Sequence, residues 1–515
     1  MARSLQVVIV KPSKYMADGF VERFRRGLMP NSTVPYMRSM VPLEVDGMPV
    51  ETHSVDEYVH TDLEYLKLLS SAEGKPTLVA LVGVQSHQFH RALDLAAYAQ
   101  SNGCMTVIGG PHVMTCDTSM LHGRGVSFAQ AEADLVWPEI LRDAKRGELQ
   151  GMYGRDSRWQ QEIEAPVVSP PSRSDLARYV IPMLGLYPAR GCPFLCNFCS
   201  VIKIAGQRIR SQSIATTLAS LRTAKAAGVR TIMFTSDNFN KYPEAEELLT
   251  AMVGEELRLD FFVQCDTQIA RQERLVELLA SAGCFQMFVG VESFNRQTLL
   301  AAHKKQNRPE TYRDIVRLCR EHGISSHFSN IIGFPQDTEQ EVREHLDVLC
   351  EMAPTWASFY ILCPIPGTEQ YDDFLEAGLI TETNLDRFDT TCLTWRHPSF
   401  SRERMSELLF KCYRRFNSLR HALHNVKDEM VFQKRGRLAR SAANIAMSLF
   451  TRYSAWRQTH PMSGGVGRVR LDGVADLLPL RKSTFGFELA PLPKSLPTPV
   501  AESQPNPILA RAATR

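Results

Sequence analysis

The chain has 515 residues, 44% of them hydrophobic and 22% charged, with a formal net charge of +3 at pH 7. That length exceeds what one hydrophobic core serves, so two or three domains are expected, and the composition is that of a folded globular protein. A charge this close to balance argues against nucleic acid as a partner, no apolar run reaches the length of a membrane span, and twelve cysteines read as reduced thiols of a cytoplasmic protein rather than a disulfide framework.

The first stretch alternates strand and helix patterns. Leu5–Val10 is apolar for six residues before Lys11-Pro12, which predicts a buried strand and not a signal peptide. Leu78–Val84 predicts a second strand. His90–Ser101 has helical spacing, with Leu93, Ala96, Ala97 and Tyr98 on one face and Asn102-Gly103 as the stop. Met105–Ile108 predicts a short strand ending in Gly109-Gly110-Pro111-His112, and Val126–Phe128 a further one before a helix near Leu135–Arg146. This alternation predicts an α/β domain over 1–155, Rossmann-like, with a parallel sheet and ligands bound beyond its strand ends. A linker is expected over 156–180, where Glu164–Ser174 is rich in Pro and Ser.

From there to about residue 395 the pattern restarts and repeats six times. The predicted strands are Leu186–Ala189, Thr231–Thr235, Phe261–Gln264, Met287–Val291, His327–Ile332 and Phe359–Leu362, with helices such as Pro243–Glu256, Glu273–Ala282, Thr311–Glu321 and Glu339–Met352 between them. Six such units over 181–395 suit a partial (β/α)6 TIM-like barrel whose site lies at the carboxyl ends of the strands. Residues 396–486 change to a mostly helical region, basic and interleaved with Phe410, Tyr413, Phe416 and Phe450. Such helices either pack a solvated face on the barrel, the commoner outcome, or lie on an anionic membrane surface. The Pro-rich tail, 487–515, is expected to be disordered.

After the first barrel strand stands Arg190-Gly191-Cys192-Pro193-Phe194-Leu195-Cys196-Asn197-Phe198-Cys199. Three thiolates at C-x3-C-x2-C spacing suit three corners of a [4Fe–4S] cube, which normally takes four cysteines, so one iron keeps an open position. A structural zinc would need a fourth ligand, and no His lies between Leu176 and Ser236. The same stretch holds no Asp or Glu but eight Lys or Arg, among them Arg190, Arg208 and Arg210; basic neighbours are expected to stabilise an anionic cluster.

This motif resembles the signature of the radical S-adenosylmethionine (radical SAM) superfamily, in which SAM chelates the open iron. The resemblance implies SAM contacts at Phe198, at Asp237-Asn238 after the second strand, at Glu292-Ser293 in Gly-x-Glu-Ser after the fourth, and at Asn330 and Gly333 in the fifth-strand region. Pro364-Ile365-Pro366-Gly367-Thr368 continues the series after the sixth strand. The preceding α/β domain resembles that of the cobalamin-dependent members, on Asp18-Gly19-Phe20, Arg23-Phe24, Pro30-Asn31, Asp56-Glu57-Tyr58 and above all Ile108-Gly109-Gly110-Pro111-His112. It implies cobalamin near Gln85, Gly109, Gly110, Pro111 and His112, with His87 close by, although the Asp-x-His-x-x-Gly motif of classical B12 domains is absent.

The implied function is cobalamin-dependent methyl transfer to an unactivated carbon, or a phosphinate, of a biosynthetic small molecule, with flavodoxin or ferredoxin as reductant. The alternatives are radical SAM chemistry without methyl transfer (cyclisation, rearrangement or transfer of another SAM fragment) and a non-catalytic cluster protein. Cys363, at a barrel-strand end, is the candidate substrate-side thiol.

Overall fold

A computed structural model describes residues 4–71, 75–154, 157–159, 162–163, 165–432, 437–461, 464–471 and 477–497. The first sheet has seven strands in the spatial order Glu44–Val45, Met48–Asp56, Leu5–Lys11, Thr77–Leu81, Met105–Gly109, Val126–Ala129, Met152–Tyr153. All pairs are parallel except the edge hairpin of Glu44–Val45 with Met48–Asp56. Leu5–Lys11 lies inside because both its faces are apolar: Leu5, Val7 and Ile9 pack with Trp137 and Ile140, and Val8 and Val10 with Phe89 and Leu93. The strand predicted over Leu78–Val84 stops at Leu81, since Gly83 turns the chain at φ +60°.

The second sheet contains six parallel strands in sequence order: Met183–Leu186, Thr231–Phe234, Asp260–Cys265, Cys284–Glu292, Ser325–Ile332 and Trp356–Ile361. This is the open α/β barrel expected from the repeats. Its first strand sits earlier than the predicted Leu186–Ala189, because Pro188 has no N–H for a ladder. Ala189–Arg190 instead pairs antiparallel with Arg210–Ser211, closing the cysteine loop at its base.

The helix Arg402–Phe416 buries Phe410, Tyr413 and Phe416 against the barrel, and the Tyr413 hydroxyl donates to the Phe359 carbonyl at 3.0 Å. Helices Leu419–Phe432 and Arg437–Trp456 follow. The chain then returns to the first sheet's side: Gly465–Arg468 pairs with Phe24–Gly27, and Leu478–Phe485 packs on Phe89–Ser101 through Arg481 Nε, 2.7 Å from Asp94 Oδ1. The expectation of disorder from 487 is corrected for 487–497. Ala490 and Leu492 dock in the first core, and Tyr371 donates to the Pro493 carbonyl at 2.9 Å. Residues 498–515 lie outside the described residues.

Glu57 knits the N-terminal segments together, accepting from Arg23 Nη2 at 2.9 Å, Arg91 Nη2 at 2.5 Å and the Tyr65 hydroxyl at 2.6 Å. Burial opposes its charge, but Arg91 and Arg23 outweigh burial and hold the carboxyl at about 2, against 4.5 ordinarily. A depressed carboxyl pKa contributes stability that is present above the unfolded value and lost as pH falls through the folded one. At about 1.36 kcal/mol per pKa unit this amounts to roughly 3 kcal/mol. Glu57→Gln is expected to lower stability at pH 7 by about 2–3 kcal/mol and to flatten the wild-type loss between pH 4.5 and about 2. Denaturant unfolding across that range checks both.

Candidate active site

The cysteine loop projects from the carboxyl end of Met183–Leu186. Gly191 has φ +102°, and a Cβ there would lie 2.3 Å from the Arg208 carbonyl oxygen, so only glycine permits the loop to close. Hydrogen bonds from within and from neighbouring segments fix the loop. Asp237 Oδ2, beyond Thr231–Phe234, accepts from Gly191 N at 2.7 Å. Gly206 O accepts from Cys192 N at 3.1 Å, and Ala302 O from Asn197 N at 3.3 Å. Burial pushes the Cys192 thiol up to about 11 and Cys199 to about 12, each raised further by the neighbouring cysteines. Such thiols give up their protons only to a metal.

Three thiols on one loop, Cys192 and Cys199 half-buried and Cys196 buried, suit three corners of a multi-iron cube. The donor set therefore fits a cluster.

The residues expected to contact SAM fall into two groups. Asp237 and Asn238 stand beside Gly191 and Cys192; Asn238 is also locked to Asp266, donating to Oδ2 at 2.8 Å and accepting from the backbone N at 3.1 Å. Phe198 and Glu292 meet through Lys304, whose Nζ is 5.7 Å from the Phe198 ring centroid and 2.9 Å from Glu292 Oε1. Glu292 adopts φ +60° and also accepts from Ser329 Oγ at 3.2 Å. Gly333, at φ +81°, leads to Phe334, whose ring packs edge-on against Phe198 at 6.4 Å. Ser293 Oγ accepts from Asn295 N at 3.1 Å, a turn bond.

Asn330 is a correction. It is fully buried, donating to the Phe328 and Ser358 carbonyls and accepting from His345 Nε2 at 2.9 Å. It braces two strands and faces no ligand.

The sequence reading missed the connection after Arg296–Ala301. There Lys304 pairs with Glu292, Gln306 Nε2 donates to Cys196 Sγ at 3.6 Å, and Asn307 donates to the Gly290 and Val291 carbonyls. The available signal was the polar run Lys304-Lys305-Gln306-Asn307 following Gly-x-Glu-Ser within one βα connection.

The basic residues of the acid-free stretch are also corrected. Arg190 and Arg210 are neutralised by acids following Val126–Ala129: Arg210 bonds both Glu132 oxygens, at 2.8 and 2.7 Å, and Arg190 reaches Asp134 at 2.7 Å. Arg208 is exposed. These cations hold the cysteine arm to the first sheet.

Facing that arm, the carboxyl ends of the first sheet's central strands border a cavity of about 250 Å³. Its walls include Gly83, Gly109, Gly110, Pro111, Ala129 and Ala131 on one side and Arg190, Ile204 and Asp237 on the other. Pro111 and Ile204 also line a second cavity of about 230 Å³. His87 and Asp389 are shared between that one and a polar cavity of about 810 Å³ reaching Lys14, Asp56 and Cys392. One crevice thus runs between the two sheets. Gly109 and Gly110 turn their bare sides onto Ala129 and the Val84 backbone, which leaves this wall flat, and the joined cavities fit a corrin.

Gln85 is exposed at the crevice rim. His112 is buried, its Nδ1 3.0 Å from Ser86 Oγ and its ring 4.0 Å from that of Phe89, and it lines the second cavity beside Pro111 and His87. His87 lines the crevice as a neutral imidazole, its pKa pushed down to about 3 by burial and then by Lys14. Cys363 does not reach the crevice. Its thiol is buried beside Thr394 Oγ1 at 3.7 Å and pushed up to about 12 by burial. Cys363→Ala is expected to leave turnover within about twofold and to lower stability by about 1 kcal/mol, as single-turnover assays and thermal melts would register.

Comparison with known proteins agrees with this geometry. The profile of the Radical SAM superfamily matches residues 186–349. The chain is 25% identical over 322 residues to bacteriochlorophyllide d C-12(1)-methyltransferase of Chlorobaculum tepidum, covering 61% of this chain and 69% of that protein. It is 24% identical over 340 residues to hopanoid C-2 methylase of Rhodopseudomonas palustris, covering 62% and 63%. Among solved structures, the radical SAM methyltransferase TsrM from Kitasatospora setae, with cobalamin and a [4Fe-4S] cluster bound, superposes with a TM-score of 0.57 at 18% identity, covering 74% of this chain and 79% of that one. The cobalamin-dependent radical enzyme OxsB superposes at 0.58 and 15% identity, covering 94% and 79%. The chain carries a radical SAM domain, which implies a [4Fe–4S] cluster and SAM, within the two-sheet fold shared by cobalamin-dependent radical SAM enzymes.

Proposed function

We propose that this chain is a cobalamin-dependent radical SAM methyltransferase acting on a small molecule, with Cys192, Cys196 and Cys199 as the cluster ligands. The observation that carries the reading is the crevice that joins the cysteine arm to the glycine-lined strand ends of the first sheet. When bound, the cluster would supply the electron that cleaves SAM, and cobalamin would supply a carrier for the methyl group.

The chain's own residues bind, orient and shield. Asp237 anchors Gly191 and so sets the loop on which the thiolates sit. The Glu292–Lys304 pair, half screened by Phe198 and Phe334, places one buried cation next to Cys196 and Cys199 and one carboxylate oxygen within the same pocket. That arrangement suits the zwitterionic end of SAM, the ammonium toward Glu292 and the carboxylate toward Lys304. Gly109, Gly110 and Pro111 form the wall against which the corrin would lie. His112, bonded to Ser86 at the floor of the second cavity, would stand beside that wall. The 810 Å³ cavity, with Lys14, Asp389 and His87 on its walls, would take a polar substrate.

The test is anaerobic reconstitution with iron, sulfide and hydroxocobalamin, followed by reaction with methyl-deuterated SAM and a small-molecule fraction of cell extract. Deuterated methyl in a new product, with S-adenosylhomocysteine and 5′-deoxyadenosine both formed, is the expected result. Methylthioadenosine, or 5′-deoxyadenosine with no S-adenosylhomocysteine, would assign the chain to radical chemistry without methyl transfer. No SAM cleavage under dithionite would remove the enzymatic reading.

A further inference from the structure

Helix Arg437–Trp456 is amphipathic in the reverse sense. It turns Ser441, Asn444, Ser448, Thr451 and Ser454 inward and buries them. It turns Leu438, Leu449, Tyr453 and Trp456 outward, with exposures of 77, 51, 60 and 67%. Its hairpin partner Leu419–Phe432 does the same: His421, Asn425 and Glu429 are buried, while Leu419 and Leu423 are 69 and 70% exposed. Inward polar groups tie the two helices to each other and to the barrel. Asn425 Nδ2 donates to the Thr355 carbonyl at 2.9 Å, Asn444 Nδ2 to Glu429 Oε1 at 3.0 Å, and Arg440 to the Phe285 carbonyl at 3.2 Å. Ten of the nineteen exposed large hydrophobic side chains among the described residues stand on these two helices. A solvated helix puts such residues on its packed face, and a patch this concentrated marks a surface that is covered in use.

The charge on the patch selects what covers it. Arg420, Lys427, Arg452 and Arg457 are exposed beside the apolar stripe. The two acids on the helices, Asp428 and Glu429, are turned away and paired, Asp428 with Arg320 at 2.5 Å and Glu429 with Arg440 at 3.2 Å. A second copy related by a twofold axis would bring like charges together. An anionic bilayer matches both the apolar stripe and the cations, with Tyr453 and Trp456 suited to the headgroup boundary. Among the described residues no helix is long and apolar enough to cross a membrane, so the hairpin would lie on the bilayer surface. We propose that the hairpin of Leu419–Phe432 and Arg437–Trp456 docks the protein on an anionic lipid bilayer. This inference is independent of the reaction assigned above.

The experiment is co-sedimentation of the full-length, cluster-loaded protein with vesicles of phosphatidylcholine alone or mixed with phosphatidylglycerol. The bound fraction on mixed vesicles is expected to exceed that on neutral ones at least tenfold and to fall with salt, since each cation contributes roughly fivefold. The double variant Leu423→Glu/Leu438→Glu replaces exposed side chains and should keep its circular dichroism, iron content and SAM cleavage while losing vesicle binding. Arg420→Glu/Lys427→Glu should lose only the preference for anionic vesicles. Failure to sediment with either vesicle, or unchanged binding by Leu423→Glu/Leu438→Glu, overturns the proposal. So does a lipid-free dimer that this variant abolishes, which would give the face to a second copy.

Discussion

Replacing any one of Cys192, Cys196 and Cys199 by alanine is expected to bring cluster iron from about four atoms per chain to near zero and to lower SAM cleavage at least 10³-fold, a barrier rise of about 4 kcal/mol. The three thiols stand on one short loop whose ends are pinned by the Ala189–Arg190 and Arg210–Ser211 ribbon and whose start is pinned by Asp237. The loop thus presents three ligands as a unit, and removal of one leaves two irons of the cube open. Two thiols cannot hold a cube that needs at least three protein ligands. The fold should be indifferent to the change. Cys192 and Cys199 are only partly buried, and no strand of either sheet passes through the loop. Each variant should therefore keep its wild-type circular dichroism while iron analysis, the visible charge-transfer band and 5′-deoxyadenosine formation disappear together. Retained cleavage in any of them, or zinc in the wild-type protein purified without air, would refute the assignment of these thiols to a cluster.

Both sheets were legible because parallel strands buried on two faces read as short apolar runs, and because glycines such as Gly283, at φ +108°, close the helices between them. Met48–Asp56 escaped because its residues, Met-Pro-Val-Glu-Thr-His-Ser-Val-Asp, are mostly half-exposed and lack an apolar pattern. The cysteine loop was legible through spacing alone. The residues that support it were not, since their roles come from the meeting of distant segments: Lys304 reaches Glu292 across one βα connection, and Gln306 lies 110 positions from Cys196. Asn330 shows the converse. Its place in a recognisable motif suggested a ligand contact, whereas hydrogen bonds to Phe328 of its own strand, to Ser358 of the next and to His345 define it as a brace. The acid-free stretch misled for a related reason, because the acids that answer Arg190 and Arg210 lie near residue 133, in the other sheet's loops. The hairpin's outward Leu and Trp residues were counted in sequence as part of a basic helical region, and only the burial of Ser441, Asn444 and Ser448 shows which side faces the protein.

Glu132→Ala is expected to destabilise the protein by about 3–5 kcal/mol, because it removes the carboxylate that neutralises the buried Arg210 guanidinium. Arg210 bonds both carboxylate oxygens of Glu132 at 2.8 and 2.7 Å, and its side chain is 2% exposed. The Ala205 carbonyl, at 2.9 Å, and the Trp159 ring, 6.0 Å from the guanidinium carbon, do not replace that carboxylate's charge. Glu132→Gln keeps the shape and loses the charge, and should fall roughly midway. The ion pair spans the junction between the first sheet's loop and the ribbon that closes the cysteine loop, so its loss should also be felt in function. The apparent KM for SAM is expected to rise and cluster occupancy to fall in Glu132→Ala, with Glu132→Gln restoring part of both. A role in stability alone would reduce the active fraction and leave KM unmoved. The double variant Glu132→Ala/Arg210→Met discriminates further. Removal of both charges should recover about 2–4 kcal/mol relative to the sum of the single changes. Additive losses would mean that the pair is not coupled, and that the cysteine arm is held to the first sheet by Arg190 and Asp134 instead.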